Sequence, residues 1–220
     1  MNQQKERQLN QISTWVREKL INEGTGHDWL HITRVRSLSI EIAKKEQADL
    51  FMTEAAALIH DMIDEKLSEK HRVSVDELNK RFSEWQIEKD EADKILSIIT
   101  NISFRNRDKN KDVKLSKEGM VVQDADRLDA IGAIGIARTF MYAGSKGHLM
   151  YHEGEFENIP SAVGHFDEKL LHLKDLMNTK TGRKLAERRH DLMVAFLKEL
   201  KKECSCTVQT ALLDEKKAVW

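Results

Sequence analysis

The sequence predicts an all-α protein, and three observations indicate this fold class. Proline occurs once in 220 residues, at Pro160, so little in the chain would interrupt a helix. Runs in which β-branched residues alternate with polar ones are nearly absent. Apolar residues instead recur at steps of three and four positions, which is the spacing of one helical face. With 40% hydrophobic residues, a chain of this length can bury a sizeable core.

Three helices are predicted in the first third of the chain. The first covers residues 4–22 and ends before two nearby glycines. The second covers residues 28–46 and places His31 on its apolar stripe. The third covers residues 53–65, because Thr53 is a plausible N-cap ahead of a strongly apolar run.

Five further helices are predicted downstream, over residues 74–83, 87–102, 116–143, 162–177 and 180–202. Ser74 followed by Glu77 is a capping-box pattern for the first of them. The long helix 116–143 contains Gly132 and Gly135, which close approach of another helix or of a ligand would explain, and we favour helix packing. Two stretches, 103–114 and 144–160, are predicted to be loops, and the second is a candidate lid. These elements predict one domain over residues 1–202, followed by a C-terminal tail over residues 203–220.

The composition of the chain argues against several kinds of partner. The formal net charge is −1, so no basic bias indicates a nucleic-acid partner. No apolar run approaches membrane-spanning length, so we expect no membrane partner. Two cysteines, one residue apart, make no disulfide framework and are expected to be reduced thiols in a cytoplasmic protein. A small-molecule substrate is the expected partner, and the chain could be a monomer or a homodimer.

Two imidazoles and two carboxylates form a candidate metal site. His31 lies on an apolar helical face, and His60 and Asp61 directly follow an apolar run. Asp126 stands between further apolar residues, and a buried charge is costly unless it is paired or bound to a metal. Imidazole and carboxylate together suit a divalent ion at a hydrolytic site, where it can acidify water and polarise a phosphoryl oxygen. The alternative is a set of ordinary buried ion pairs.

Two more acids follow the His-Asp pair. On a continuous helix Asp64 lies over His60, and Glu65 lies over Asp61, one turn further along. Either acid could activate a water molecule or orient a ligand. The alternative is a solvated helix end.

The pattern His31, His60, Asp61 and Asp126 resembles the HD superfamily of metal-dependent phosphohydrolases. The resemblance extends to residues 26–31 (GHDWLH), 60–66 (HDMIDEK) and 123–132 (QDADRLDAIG), which are similar to a bacterial stand-alone branch that acts on nucleotides. It implies a compact multi-helix HD-domain fold with additional C-terminal helices, and one divalent ion bound by those four residues. Mn²⁺ or Mg²⁺ is expected, although other first-row transition metals fit the same ligands. The resemblance also implies that Asp64 and Glu65 are similar to an acidic pair that activates water.

A nucleotide substrate needs hydrogen-bond donors and positive charge around its phosphates. His27, Lys66 and Arg34 are the candidate substrate-binding residues, although each could equally have a surface or salt-bridged role. The resulting prediction is a nucleoside triphosphate diphosphatase, which releases pyrophosphate. The alternatives are a 5′-(deoxy)nucleotide monophosphatase, a guanosine-polyphosphate hydrolase, or a nucleotide-sensing module without turnover.

Overall fold

The computed structural model describes residues 1–23, 26–65, 67–102, 114–152 and 159–217, with side chains described as far as residue 205. Within these ranges the secondary structure consists of nine α-helices, one 3-10 helix and an isolated bridge between Leu149 and Ser161. The prediction of an all-α fold is therefore confirmed. No helix in the described part of the chain is both long and apolar enough to cross a bilayer.

By its internal contacts the chain divides into two compact units. The first contains Met1–Asp129 and Met177–Arg183, and the second contains Ala130–Leu176 and Lys184–Trp220. The first unit holds six helices: α1 (Gln3–Leu20), α2 (Trp29–Glu46), α3 (Leu50–Ile59), α4 (Val75–Glu84), α5 (Lys89–Asn101) and α6 (Lys117–Asp129).

Local sequence explains where most of these helices begin. Asn2, Asp28 and Ser74 each precede a helix in an extended conformation and accept a hydrogen bond from a backbone N–H of its first turn. These N-caps satisfy donors that a helix leaves unpaired. The predicted starts of α1, α2 and α4 agree with the structure to within one residue.

The bounds predicted for the third helix were wrong at both ends. Helix α3 begins at Leu50 because Asp49, not Thr53, is its N-cap and accepts a hydrogen bond from Met52 N at 2.8 Å. The helix ends at Ile59, and a run of turns follows it. Asp64 and Glu65 therefore do not lie one helical turn above His60 and Asp61.

Helix α3 is the centre of the first unit. Every residue from Phe51 to Ile59 is buried, as expected for a mostly apolar helix, and the one charged side chain among them, Glu54, pairs with Arg36. It packs against α1, α2, α5 and α6, and α2 also packs against α6. The ends of α2, α3 and α6 are thereby brought close together.

The predicted long helix 116–143 was wrong, because the chain breaks after α6 and restarts as α7 (Gly132–Ser145). Gly132 has φ +77°, a left-handed conformation that a helix interior cannot accommodate. At Gly135 an added Cβ would lie 2.3 Å from the carbonyl oxygen of Ala130, so the backbone passes too close for a side chain. The two glycines therefore mark a turn between helices.

The second unit begins with α7 and continues through α8 (Ala162–Glu168) and a 3-10 helix (Leu170–Leu176). The sequence predicted one helix over 162–177. The last helix, α9 (Lys180–Lys217), continues well past residue 202, where the predicted tail begins. Most of the predicted loop 103–114, and residues 153–158 of the predicted lid, lie outside the described residues. The domain limits 1–202 and the lid remain predictions.

Candidate metal centre

Three segments of the first unit supply the candidate ligands. His31 lies in the first turn of α2, where its backbone N–H donates to the N-cap carboxylate of Asp28 at 2.7 Å. His60 is the C-cap residue of α3, and Asp61 follows in the adjoining turn. Asp126 lies in the last turn of α6. The helix ends therefore place all four side chains at one point.

The donor atoms of these four residues lie close together. The Nε2 atoms of His31 and His60 are 3.3 Å apart. Asp61 Oδ2 lies 3.2 Å from the first nitrogen and 3.4 Å from the second. Asp126 Oδ1 lies 3.5 Å and 3.8 Å from the same two atoms. The structure thus brings together the four residues that the sequence predicted as ligands.

The other nitrogen of each ring indicates which atom is available. His60 Nδ1 lies 2.9 Å from the carbonyl oxygen of Ala57, which can only accept a hydrogen bond, so Nδ1 carries the proton. His31 Nδ1 lies 2.7 Å from a carboxylate oxygen of Asp129 and donates to it. In the neutral rings both Nε2 atoms are therefore lone-pair donors that face each other and two carboxylates.

This donor set fits a divalent cation. Ligand atoms that share an ion at about 2.0–2.2 Å are separated from each other by roughly 3.0–3.5 Å. The observed separations of 3.2–3.8 Å are close to this range. When both rings are neutral, the four acceptor atoms repel each other, and either a bound proton or a bound cation removes that repulsion.

The pKa values describe the same preference for positive charge. Burial would lower the pKa of His31, but hydrogen bonds to Asp129 and Asp61 outweigh it and raise the pKa to about 9. His60 behaves alike: burial opposes its charge, but Asp61 and Asp126 raise the pKa above its ordinary value. Burial would raise the pKa of Asp126, but His60 and His31 hold it at about 2. Both carboxylates are thus ionised at neutral pH and favour a cation between them.

His27, a predicted substrate contact, lies beside this cluster. Its Nδ1 is 2.7 Å from Asp61 Oδ2 and donates to it. A carboxylate oxygen can accept that hydrogen bond and still present a lone pair to an ion. His27, His31 and Asp61 also form a second group with donor atoms close enough to hold a metal.

Arg34, the second predicted substrate contact, is bound to a buried acid. Its Nε donates to Asp129 Oδ1 at 2.7 Å, and its Nη2 donates to Asp129 Oδ2 at 3.0 Å. Asp129 was not among the residues predicted for the site. A signal was present, because Asp129 stands three residues after Asp126 on the same helix and is surrounded by apolar residues.

The remaining predicted site residues follow the His-Asp pair. Asp64 is half-buried and Glu65 is exposed, and both stand in the turns after α3. The backbone N–H of Asp64 donates to the carbonyl of Asp61 at 2.9 Å, which keeps that turn tight. Lys66 lies outside the described residues, so its predicted phosphate contact stays a prediction.

The candidate ligands differ in exposure. The side chains of His31 and His60 are almost fully buried, whereas that of Asp126 is 41% exposed. Asp126 is therefore the candidate ligand most in contact with solvent. An all-α bundle with a buried His/Asp cluster, exposed at one carboxylate, is the arrangement expected of a helical protein with a divalent metal site.

Comparison with known proteins identifies the family within this class. The family model of the HD domain matches residues 29–131, which include all four candidate ligands. YpgQ of Bacillus subtilis is 51% identical over 197 residues, which cover 90% of this chain and 94% of YpgQ. The chain belongs to the HD-domain superfamily and is a hydrolase of that superfamily.

Solved structures agree with this assignment. The crystal structure of Bacillus subtilis YpgQ in complex with ADP has a TM-score of 0.79 and 49% identity, and the match covers 91% of this chain and 96% of that one. An HD-superfamily hydrolase from Bacillus thuringiensis has a TM-score of 0.75 and 40% identity, with 91% and 98% covered. The predicted HD-domain fold is confirmed.

Proposed function

We propose that this protein is a metal-dependent phosphohydrolase that acts on a small nucleotide and releases pyrophosphate from nucleoside triphosphates. The single observation that carries the proposal is the proximity of the donor atoms of His31, His60, Asp61 and Asp126, of which the Asp126 side chain is 41% exposed. The similarity to YpgQ, which was crystallised with ADP, supports a nucleotide as the ligand. The choice of pyrophosphate release rests on the resemblance to the stand-alone nucleotide branch.

The four ligands would hold one divalent ion, and Mn²⁺ or Mg²⁺ is proposed. Such an ion supplies Lewis-acid chemistry, because it lowers the pKa of water and polarises a phosphoryl oxygen. His31 Nδ1 donates to Asp129, and His60 Nδ1 donates to the carbonyl of Ala57. These hydrogen bonds fix both rings, so that their Nε2 atoms would be available to the ion. Because both imidazole rings are already fixed, they need little rearrangement to hold the ion in place for the reaction.

The acidic turn after Asp61 is proposed to handle the proton of the attacking water. Asp64 and Glu65 stand three and four residues beyond Asp61, in a turn joined to it by a backbone hydrogen bond. A carboxylate there can accept the proton as the oxygen–phosphorus bond forms. Asp64 is the better candidate base, because it is half-buried while Glu65 is exposed.

His27 is proposed to touch the phosphates. Its Nδ1 donates to Asp61, so Nε2 is the ring nitrogen left for a phosphate, and it donates to a phosphate oxygen when the ring is protonated. Its side chain is partly exposed beside the nearly buried Asp61, at the edge of the donor cluster. Lys66 is proposed as a second phosphate contact from its position in the sequence alone.

A phosphate-release screen on Mn²⁺-loaded protein tests the proposal. Nucleoside mono-, di- and triphosphates are assayed with and without inorganic pyrophosphatase, beside a His60→Ala control. Signal from triphosphates that requires added pyrophosphatase supports the proposed bond cleavage. The same signal from His60→Ala would contradict the assignment of the site.

Other outcomes select the alternatives. Direct phosphate release from nucleoside monophosphates would indicate a nucleotidase. Guanosine polyphosphates are assayed in the same way, and release of pyrophosphate from these compounds alone would indicate an alarmone hydrolase. No release from any of these compounds by metal-loaded protein would contradict the proposed function.

A further inference from the structure

A buried carboxylate connects one candidate metal ligand to an arginine outside the ligand set. Asp129 is almost fully buried at the end of α6. Its Oδ2 accepts hydrogen bonds from His31 Nδ1 at 2.7 Å and from Arg34 Nη2 at 3.0 Å, and its Oδ1 accepts one from Arg34 Nε at 2.7 Å. Both oxygens of this acid are thus fixed by hydrogen bonds.

The planar guanidinium of Arg34 determines the orientation of this carboxylate. Two parallel N–H donors match the two oxygens of a carboxylate and hold it in one plane. Arg34 stands three residues after His31 on α2, so both side chains leave the helix on the same side. One helix therefore carries both groups that Asp129 holds, and α6 supplies the acid between them.

The two candidate imidazole ligands differ in what supports them. His60 Nδ1 donates to the neutral carbonyl of Ala57, whereas His31 Nδ1 donates to an ionised carboxylate. A carboxylate partner fixes the tautomer and the ring plane, and it also increases the electron density at the opposite nitrogen. His31 should therefore be the stronger of the two nitrogen donors.

We propose that Asp129 and Arg34 are positioning residues for the metal site. Asp129 orients His31 and strengthens its Nε2 as a donor, and Arg34 holds the Asp129 carboxylate in one plane through two hydrogen bonds. This inference rests on the proposed function, because it assumes that His31 binds the ion. It gives Arg34 a different role from the substrate contact that the sequence suggested.

The first test measures Mn²⁺ affinity by calorimetry on protein from which metal has been removed. The variant Asp129→Asn keeps the shape of the side chain but removes its charge. The variant Arg34→Met removes the two guanidinium donors that hold Asp129. Loss of a carboxylate that supports a metal-bound histidine typically weakens metal binding by about 10–100-fold. We expect a loss in this range for Asp129→Asn and a smaller one for Arg34→Met.

The chain offers a matched control on the same helix. Arg36 donates to the buried carboxylate of Glu54 through Nε at 2.8 Å, and its side chain is 32% exposed against 34% for Arg34. Arg36→Met thus removes a comparable ion pair away from the donor cluster. We expect this variant to lose similar thermal stability but to keep the wild-type Mn²⁺ affinity.

A second test separates positioning from substrate binding. Turnover is measured against Mn²⁺ concentration at saturating nucleotide, and then against nucleotide at saturating Mn²⁺. A positioning role raises the Mn²⁺ concentration needed for half-maximal activity and leaves KM for the nucleotide unchanged. If Arg34→Met raises KM and leaves Mn²⁺ affinity unchanged, Arg34 binds substrate and the inference is wrong.

The outcomes distinguish this inference from the function on which it rests. Wild-type Mn²⁺ affinity in both Asp129→Asn and Arg34→Met overturns the inference and leaves the proposed function intact. Metal binding that depends on Asp129, without turnover of any nucleotide, supports the inference and contradicts the function. A wild-type protein that binds no divalent ion overturns both. If Asp129→Asn does not fold, Arg34→Met and its Arg36→Met control decide the question.

Discussion

Asp126 is the one candidate ligand whose side chain is substantially exposed. His31, His60 and Asp61 are enclosed by α2, α3 and the turn after α3, so replacing any of them also disturbs the packing of the core. The side chain of Asp126 is 41% exposed, so its removal leaves no large cavity. It is therefore the residue at which metal binding can be separated most clearly from folding.

We predict that Asp126→Ala lowers Mn²⁺ affinity by more than 100-fold and abolishes turnover. The free energy of unfolding without metal should fall by no more than about 2 kcal/mol, because the carboxylate is 41% exposed but also pairs with His31 and His60. Calorimetric metal titration and thermal unfolding of the metal-free protein measure the two effects. Retained Mn²⁺-dependent activity in Asp126→Ala would remove this residue from the ligand set.

Protons and metal ions compete for His31. Since the pKa of this imidazole is raised to about 9 in the metal-free protein, an ion that binds below pH 9 must displace its proton. We predict that Mn²⁺ affinity rises about tenfold for each pH unit between pH 6 and 8.5, where His31 is mainly protonated. Calorimetry in buffers of different ionisation enthalpy should detect at least one proton released per ion. Affinity that does not change over this range would show that His31 Nε2 is not a ligand.

The sequence did not predict which residues support the candidate ligands by hydrogen bonds. The four candidate ligands could be found because each is a costly polar residue in an apolar setting. Asp129 has the same property, but its partners are His31 and Arg34, which are 98 and 95 residues away in the chain. Helical spacing alone contains no information on such a contact, because the contact depends on how α6 packs against α2.

At the level of elements, helix existence was predictable and helix boundaries were less so. Asp28 and Ser74 precede apolar periodic runs, and both are N-caps in the structure. Helix α3 was misplaced because Asp49, an equally good cap, stands four residues before Thr53. The break between α6 and α7 was missed because the apolar period continues through it, and only the backbone conformation of Gly132 reveals the turn.

This break leads to a prediction on stability. Gly132→Ala forces a side chain into a left-handed conformation, which costs about 1–2 kcal/mol, and its Cβ would lie 2.9 Å from Arg189 Cγ. Gly144, near the end of the same helix, has no atom within 4 Å of an added Cβ. Gly144→Ala should therefore stabilise the protein by up to about 1 kcal/mol. Chemical denaturation of the two variants measures the difference, and equal effects would contradict the assigned turn.

At the level of the whole molecule, the candidate site joins segments that are distant in sequence. Residue 31 is followed by the His-Asp pair about thirty positions later and by Asp126 another sixty-five positions on, and all lie in the first compact unit. The apolar packing of α3 against α2 and α6 brings these segments together. An ion bound by all of them adds a further link between the same helices.

Metal binding should therefore stabilise the fold, and we predict the size of the effect. An ion that binds only the folded state at 100 times its Kd adds about 2.7 kcal/mol to the free energy of unfolding. For a chain of this size, that corresponds to a rise in Tm of roughly 5–10 °C. A chelator should reverse the rise, and hydrogen exchange should slow for backbone amides in α2, α3 and α6. Asp126→Ala is the matched control, because it keeps the core but loses a ligand. An equal rise in Tm for this variant would mean that the stabilising ion binds elsewhere in the protein.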